Sequence, residues 1–227
     1  VRLDTSASGR EITGVVVDHG GKTETLRADI VVVACGAANS ARLLLASAND
    51  KHPNGLANGS DMVGRHYMFH NSAAVLALSE EENPTVYQKT LGLNDFYFAG
   101  KEFDYPLGNI QMVGKSQAPM FRGERPIETL LAPMWSLDWI ARHAVDFWLT
   151  TEDLPAPDNR VTLGRDDRLT LAYTPNNQVP KKQLYEKLKS MLGHLGMKTD
   201  HLLPRHAYLK NDISVAGVAH QAGTCRF

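Results

Sequence analysis

Two segments hold the residue types from which chemistry can be built. The last eight residues, His220-Gln221-Ala222-Gly223-Thr224-Cys225-Arg226-Phe227, set an imidazole beside a Gly-Thr turn. Imidazole titrates near neutrality, so His220 suits work as a proton acceptor, and the small residues after it permit a close backbone approach. Taken alone, the pattern is only moderately specific, because a histidine in a turn more often serves structure. Cys225 admits a second chemistry, a thiol nucleophile served by His220 as in a hydrolase, although no segment that would form an oxyanion site is evident. The other segment is Gly36-Ala37-Ala38-Asn39-Ser40-Ala41-Arg42-Leu43-Leu44-Leu45-Ala46-Ser47. A glycine at the carboxyl end of a buried strand is where doubly wound folds bring backbone against a nucleotide cofactor, and the same glycine can also simply turn the chain. His66 and His70 share one helical spacing, as two metal ligands would, but no third ligand is evident nearby; both read as structural and no metal is expected. Phe96, Tyr97, Phe98, Phe103 and Tyr105 either line a substrate pocket or pack together.

The elements that must position these residues follow from the hydrophobic pattern. Val1-Arg2-Leu3, Ile12 to Val17 and Thr23 to Arg27, with a Gly20-Gly21 turn, predict a small β-meander. Asp29-Ile30-Val31-Val32-Val33-Ala34-Cys35-Gly36 is a β-branched run without polar alternation, which predicts a strand buried on both faces of a parallel sheet. Asn39-Ser40 can cap a helix on which Leu43, Leu44 and Ala48 share a face, giving a strand, glycine turn and helix of α/β type. From about Asn71 the texture changes to separate strands at Ala73 to Leu78, Asn109 to Gly114 and Phe147 to Thr150. A hairpin follows, in which Val161 and Leu163 alternate with polar residues, Gly164-Arg165-Asp166-Asp167 turns the chain, and Leu169, Leu171 and Tyr173 return it. Together these predict an antiparallel sheet with one covered face. Its cover is a helix from Lys181 to Leu195, with Leu184, Leu188, Met191, Leu192 and Leu195 as the apolar stripe, Pro180 before it, Gly196 after it, and Lys181, Lys182, Lys187 and Lys189 toward water. Met120 to Ile140, rich in proline and aromatic residues, predicts a loop-rich lid.

Composition bounds the function classes. The 227 residues carry 24 basic and 25 acidic side chains, so no long-range field draws in nucleic acid or anionic lipid, and no local Lys/Arg cluster makes one. Nucleic-acid binding is not expected. No apolar run reaches the ~18 residues of a membrane span. Cys35 and Cys225 lie near opposite ends and form no Cys-x-x-Cys pair, so both are expected to be reduced and buried. The chain begins at Val1 with no signal-peptide pattern, which leaves targeting and compartment open.

Taken together, the strand with Gly36 to Ser47 and the terminal His-x-x-Gly-Thr-Cys pattern resemble the glucose-methanol-choline (GMC) oxidoreductases, FAD-dependent enzymes that oxidise alcohol groups. Gly36, Ala37, Ser40, Leu43, Leu44 and Ser47 match that family's second signature; Ala41 stands where proline is usual, and Ala48 and Asp50 replace two glycines of the following turn. Val63-Gly64-Arg65-His66-Tyr67-Met68-Phe69-His70 resembles the lead into the family's substrate domain, and Leu154-Pro155-Ala156-Pro157-Asp158-Asn159-Arg160-Val161-Thr162-Leu163 a hairpin within it. The resemblance implies an α+β fold, an antiparallel substrate-domain sheet covered by helices plus a remnant of an α/β FAD-binding domain. Residues 1–70 would belong to the FAD-binding part and 71–205 to the substrate domain, with 206–227 returning toward the flavin. It implies FAD as cofactor, with Gly36 and Ala37 near its adenosine end and Val1 at the tail of a segment touching adenine. It implies His220 as the base for an alcohol or sugar substrate; the electron acceptor is not specified. The family's Gly-x-Gly-x-x-Gly unit and second catalytic residue do not occur here, so the chain reads as a portion of such an enzyme, inactive alone. A stand-alone binding module without redox activity is the rival expectation.

Overall fold

The computed structural model describes residues 1–199 and 206–226, so Phe227 of the terminal motif and the 205/206 boundary lie outside the described residues. In chain order the first elements are β1 (Arg2–Thr5), β2 (Ile12–His19), β3 (Lys22–Leu26) and α1 (Gly36–Ala46). They are followed by β4 (Asn71–Leu78), β5 (Gly92–Leu93), β6 (Asn109–Met112), α2 (Ala118–Glu124), α3 (Met134–His143) and β7 (Ala144–Thr151). The last are β8 (Arg160–Leu163), β9 (Leu169–Ala172), α4 (Gln178–His194) and β10 (Ala207–Asp212). The fold is α+β, and every strand pairing in it is antiparallel. Two compact units form, one from Val1–Phe69, Asp153–Asn176 and Ala219–Phe227, the other from His70–Glu152 and Asn177–Val218.

The first unit opens with the expected meander, in the order β1-β2-β3. Leu3 and Val16 are its buried side chains, and the Leu3 N–H donates to Ser47 Oγ at 2.8 Å, which ties the meander to the end of α1. The β-branched run before α1 forms no strand, and Ile30 and Val32 are 81% and 79% exposed. Branched side chains favour an extended backbone, but a strand exists only where a neighbour takes its hydrogen bonds, and none of the described residues pairs with this run. Helix α1 also starts earlier than its Asn-Ser pair suggested. Gly36 takes a left-handed φ of 77°, and Ser40 Oγ accepts the Cys35 N–H at 3.0 Å from inside the helix instead of capping it. Ala48 lies beyond the helix end. Hairpin β8-β9 forms a two-stranded sheet of its own, with Val161 buried, and belongs to this unit. Both cysteines are free and exposed, which corrects the expectation of burial; a thiol is hidden only where apolar neighbours close over it.

The second unit holds the five-stranded sheet β10-β4-β7-β6-β5. Ala73, Val75 and Ala77 of β4 and Phe147 and Leu149 of β7 point to one face with the period of two that a pleat requires. Leu184, Leu188 and Leu192 of α4 cover that face, each contributing about 2 kcal/mol of apolar burial. Leu195, expected in the stripe, is exposed just past the helix end. Pro180 sits within the first turn, after an Asn177 N-cap in the left-handed region. Lys181 is buried instead of facing water, and its Nζ lies 3.0 Å from Asp212 Oδ1 on β10. The proposed lid over residues 120–140 is largely helical, holding most of α2 and the first part of α3; of its prolines, Pro133 is the N-cap of α3 and Pro126 lies in the turn after α2.

Candidate active site

The terminal motif is built into the first unit by backbone pairing. Met68 and Ala222 exchange two hydrogen bonds of 3.0 and 2.9 Å, and the Gly64 N–H donates to Thr224 O at 2.7 Å. The same 64–68 stretch is held on its other side by hairpin β8-β9, through Tyr67 N–H to Asn159 O at 2.9 Å and Val161 N–H to Gly64 O at 2.8 Å. Only glycine fits at 223. Its φ is 93°, and a Cβ there would stand 1.8 Å from the carbonyl oxygen of His66. Thr224, fully buried, donates its hydroxyl to Ala37 O at 2.6 Å and so fastens the motif to the first turn of α1, across 187 residues of sequence.

Both partners of this bond line a cavity of about 580 Å³. Gly36, Ala37 and Ser40 of α1 form one wall and Gln221 to Arg226 another, while Val33, Ala57, Ser60 and Met62 complete the rim. Much of the lining is therefore backbone and small side chains, with the Arg226 guanidinium as its cation. The first turn of α1 carries no acidic residue and no side-chain cap, so the positive end of the helix dipole faces this wall without a competing carboxylate. Gly36 and Ala37 line the cavity. Val1 does not; it stands at the edge of the meander, its ammonium group donating to Val16 O at 2.7 Å. His220 immediately precedes the lining and is exposed, with a left-handed φ of 61°. Such a backbone costs a non-glycine residue about 1 kcal/mol or more, and conformations of this kind concentrate at functional sites.

Several residues here escaped the sequence reading. Arg226 was quoted only as part of the motif, and its charge beside a glycine turn was the available signal. Asp61 accepts from Arg65 Nη2 at 2.6 Å and also binds Arg160, and these two guanidinium groups hold its carboxyl below the usual carboxylate range. The network holds the loop that brings Ser60, Met62 and Val63 to the cavity; the Asp61–Arg65 spacing of four was the available signal, whereas Arg160, 99 residues away, gives none. His66 is pushed toward its neutral form, first by burial and then by the nearby charges of Arg226 and Arg65, and its Nδ1 is buried without a hydrogen-bond partner. Tyr173 donates to Asp153 Oδ2 at 2.9 Å and packs on Phe69 with ring centroids 4.7 Å apart. Burial raises the Asp153 carboxyl, against the lowering effect of Tyr173 and the N–H groups of Phe69 and Leu154.

The remaining sequence candidates are dispersed. Cys225 Sγ lies 3.9 Å from Thr224 Oγ1 at the cavity rim. His70 belongs to the second unit, and among the described residues no three His, Cys, Asp or Glu side chains are grouped as metal ligands. Of the aromatic cluster, Phe96, Phe103 and Tyr105 pack on the second unit's core, whereas Tyr97 and Phe98 are exposed. No helix among the described residues is long and apolar enough to cross a membrane.

No protein-family model matches the chain. Over 172 residues it is 27% identical to the fructose dehydrogenase large subunit of Gluconobacter japonicus, an alignment covering 72% of the chain and 31% of that protein. Over 157 residues it is 27% identical to 2-methyl-1,2-propanediol dehydrogenase of Mycolicibacterium austroafricanum, covering 64% of the chain and 28% of that protein. The chain thus spans less than a third of the length of these relatives. Both are dehydrogenases, and the relationship, distant as it is, is to oxidoreductases.

Proposed function

We propose that this chain is a portion of a GMC-type, FAD-dependent oxidoreductase that oxidises a CH–OH group of a sugar or other alcohol, with His220 as the base. The observation that carries the reading is the bond from Thr224 to Ala37, which joins the two segments singled out for chemistry into one cavity. Similarity to dehydrogenases of fructose and of a diol supports the substrate class.

The cavity suits part of a dinucleotide. Its volume of about 580 Å³ falls within the range of small-molecule sites, and it offers small residues for close approach, a helix amino terminus and one arginine for negative charge. Gly36 and Ala37 would hold the adenosine end, and Arg226 would offset phosphate charge. When bound, FAD supplies the acceptor for the hydride leaving the carbinol carbon. The chain's own part is proton management. An alkoxide expels hydride far more readily than a neutral alcohol, so an imidazole nitrogen of His220 that takes the hydroxyl proton contributes ~10²–10⁴-fold. Thr224, Gly223 and the Met68–Ala222 pair position it by fixing the backbone on which it stands. His66, pushed toward its neutral form by burial and by the charges of Arg226 and Arg65, adds less positive charge beside Arg226.

On this reading the chain expressed alone is inactive, and the complete protein that carries it is yellow and bleaches anaerobically with sugars or alcohols. A complete protein that takes up no FAD from excess cofactor sinks the proposal. So does stoichiometric FAD binding with alcohol-dependent bleaching by the 227-residue chain alone, which would show that no further part is required.

A further inference from the structure

We propose that residues 29–34 are a docking strand: they enter a β-sheet completed by the part of the protein outside this chain, with the cavity at the strand's carboxyl end. This rests on reading the chain as a portion of a longer enzyme, and it adds where the remaining polypeptide attaches. Ile30, Val32 and Ala34 are exposed, while Val31 and Val33 between them are partly buried. That alternation is the period of two of an extended backbone, with successive side chains on opposite faces. Among the described residues, nothing takes up the backbone N–H and C=O groups of residues 30–34. Pairing stops before the run, at Leu26 opposite Val15, and hydrogen bonding resumes after it, where the Cys35 N–H donates to Ser40 Oγ at 3.0 Å.

Side chains and backbone call for the same partner. Ile30, Val31, Val32 and Val33 put branched apolar groups on both faces, the composition of a strand inside a sheet. Strand β3, Lys-Thr-Glu-Thr-Leu and exposed throughout, shows how this chain writes a strand that faces water. A second copy paired edge to edge would take the hydrogen bonds of one side only and leave the face of Ile30 and Val32 in water. Two neighbours and a cover require more polypeptide, and the alignments leave more than two thirds of each dehydrogenase relative outside the match. Position points the same way. Val33 lines the cavity, and Gly36, with φ 77°, turns the chain from the run into α1. Carboxyl ends of strands that lead into helices are where open sheets bind their ligands.

Hydrogen–deuterium exchange of the complete protein, read at residues 30–34, tests the strand. The expected result is exchange at least ~10³-fold slower than in an unstructured peptide, equal at about 1 µM and about 50 µM protein, with the amides of α4 as the folded reference. Protection holds in cofactor-free protein as well, so a protein that takes up no FAD would sink the function proposed above and leave the strand intact. Val32→Thr keeps the branched shape and adds a hydroxyl; in a covered sheet it speeds exchange at these residues by about tenfold, and at a solvent-facing position it changes nothing. Free exchange at residues 30–34 while α4 stays protected overturns the proposal. Protection that appears only at the higher concentration assigns the run to a second copy, and protection present only with FAD bound assigns it to the ligand; either result overturns it. An unchanged rate in Val32→Thr leaves the side chain in water and does the same.

Discussion

Gly223→Ala is a severe test of how the terminal segment is held. The new Cβ would stand 1.8 Å from His66 O, 2.9 Å from its carbonyl carbon and 3.0 Å from Met68 Cε. The first two are backbone atoms, so no rotamer change relieves the overlap; the 222–224 segment must retreat by more than about 1 Å to reach ordinary contact. That movement breaks the Met68–Ala222 pair and the Gly64–Thr224 bond, each worth about 1 kcal/mol, and alanine at φ 93° costs a further 1–2 kcal/mol or so. The total is roughly 3–5 kcal/mol, measured by urea unfolding at neutral pH. Gly21→Ala is the control, since its φ is 80° but nothing lies within 4 Å of the added Cβ; it should cost only the backbone strain of about 1–2 kcal/mol. Equal losses at the two glycines would refute the steric argument and leave the motif's attachment to the 64–68 stretch unsupported.

Two further predictions concern pH. Asp61→Asn should lower stability at neutral pH and match the parent in acid. The folded carboxyl is held below its ordinary value by Arg65 and Arg160, so its contribution is present above that value and lost as pH falls through the folded pKa. Asp153 has the opposite sign. Burial raises its folded pKa, so the parent loses stability as pH rises from the ordinary carboxylate value through the folded one, and Asp153→Asn should flatten that limb in chemical unfolding between about pH 4 and about pH 7. An unchanged profile in either variant contradicts the corresponding assignment.

The parts of the fold that were legible in sequence are those decided locally. Gly20-Gly21 between alternating segments specifies the meander, and Leu184, Leu188 and Leu192 at helical spacing specify α4 and its buried face. Parts that depend on distant partners were not legible. The Ile30–Cys35 run has every local mark of a strand and forms none, because a ladder belongs to two segments and sequence reports one. Lys181 reads as a solvent-facing charge until Asp212 on β10 is placed beside it. Pro133 reads as a loop residue, although at a helix start the missing N–H is no loss. The site divides in the same way. His220, Gly223 and Gly36 become candidates from residue type and neighbours, whereas the Thr224–Ala37 bond and the Asp61–Arg160 pair exist only in three dimensions.

The central claim is that His220 takes the alcohol proton. Anaerobic stopped-flow reduction of the complete protein's flavin, with a saturating sugar or alcohol substrate, compares the parent with His220→Gln. The prediction is a fall in the reduction rate of about 10²-fold or more with the oxidised flavin spectrum and its stoichiometry unchanged. A variant that reduces its flavin at the parent's rate would contradict the assignment of His220 as the base.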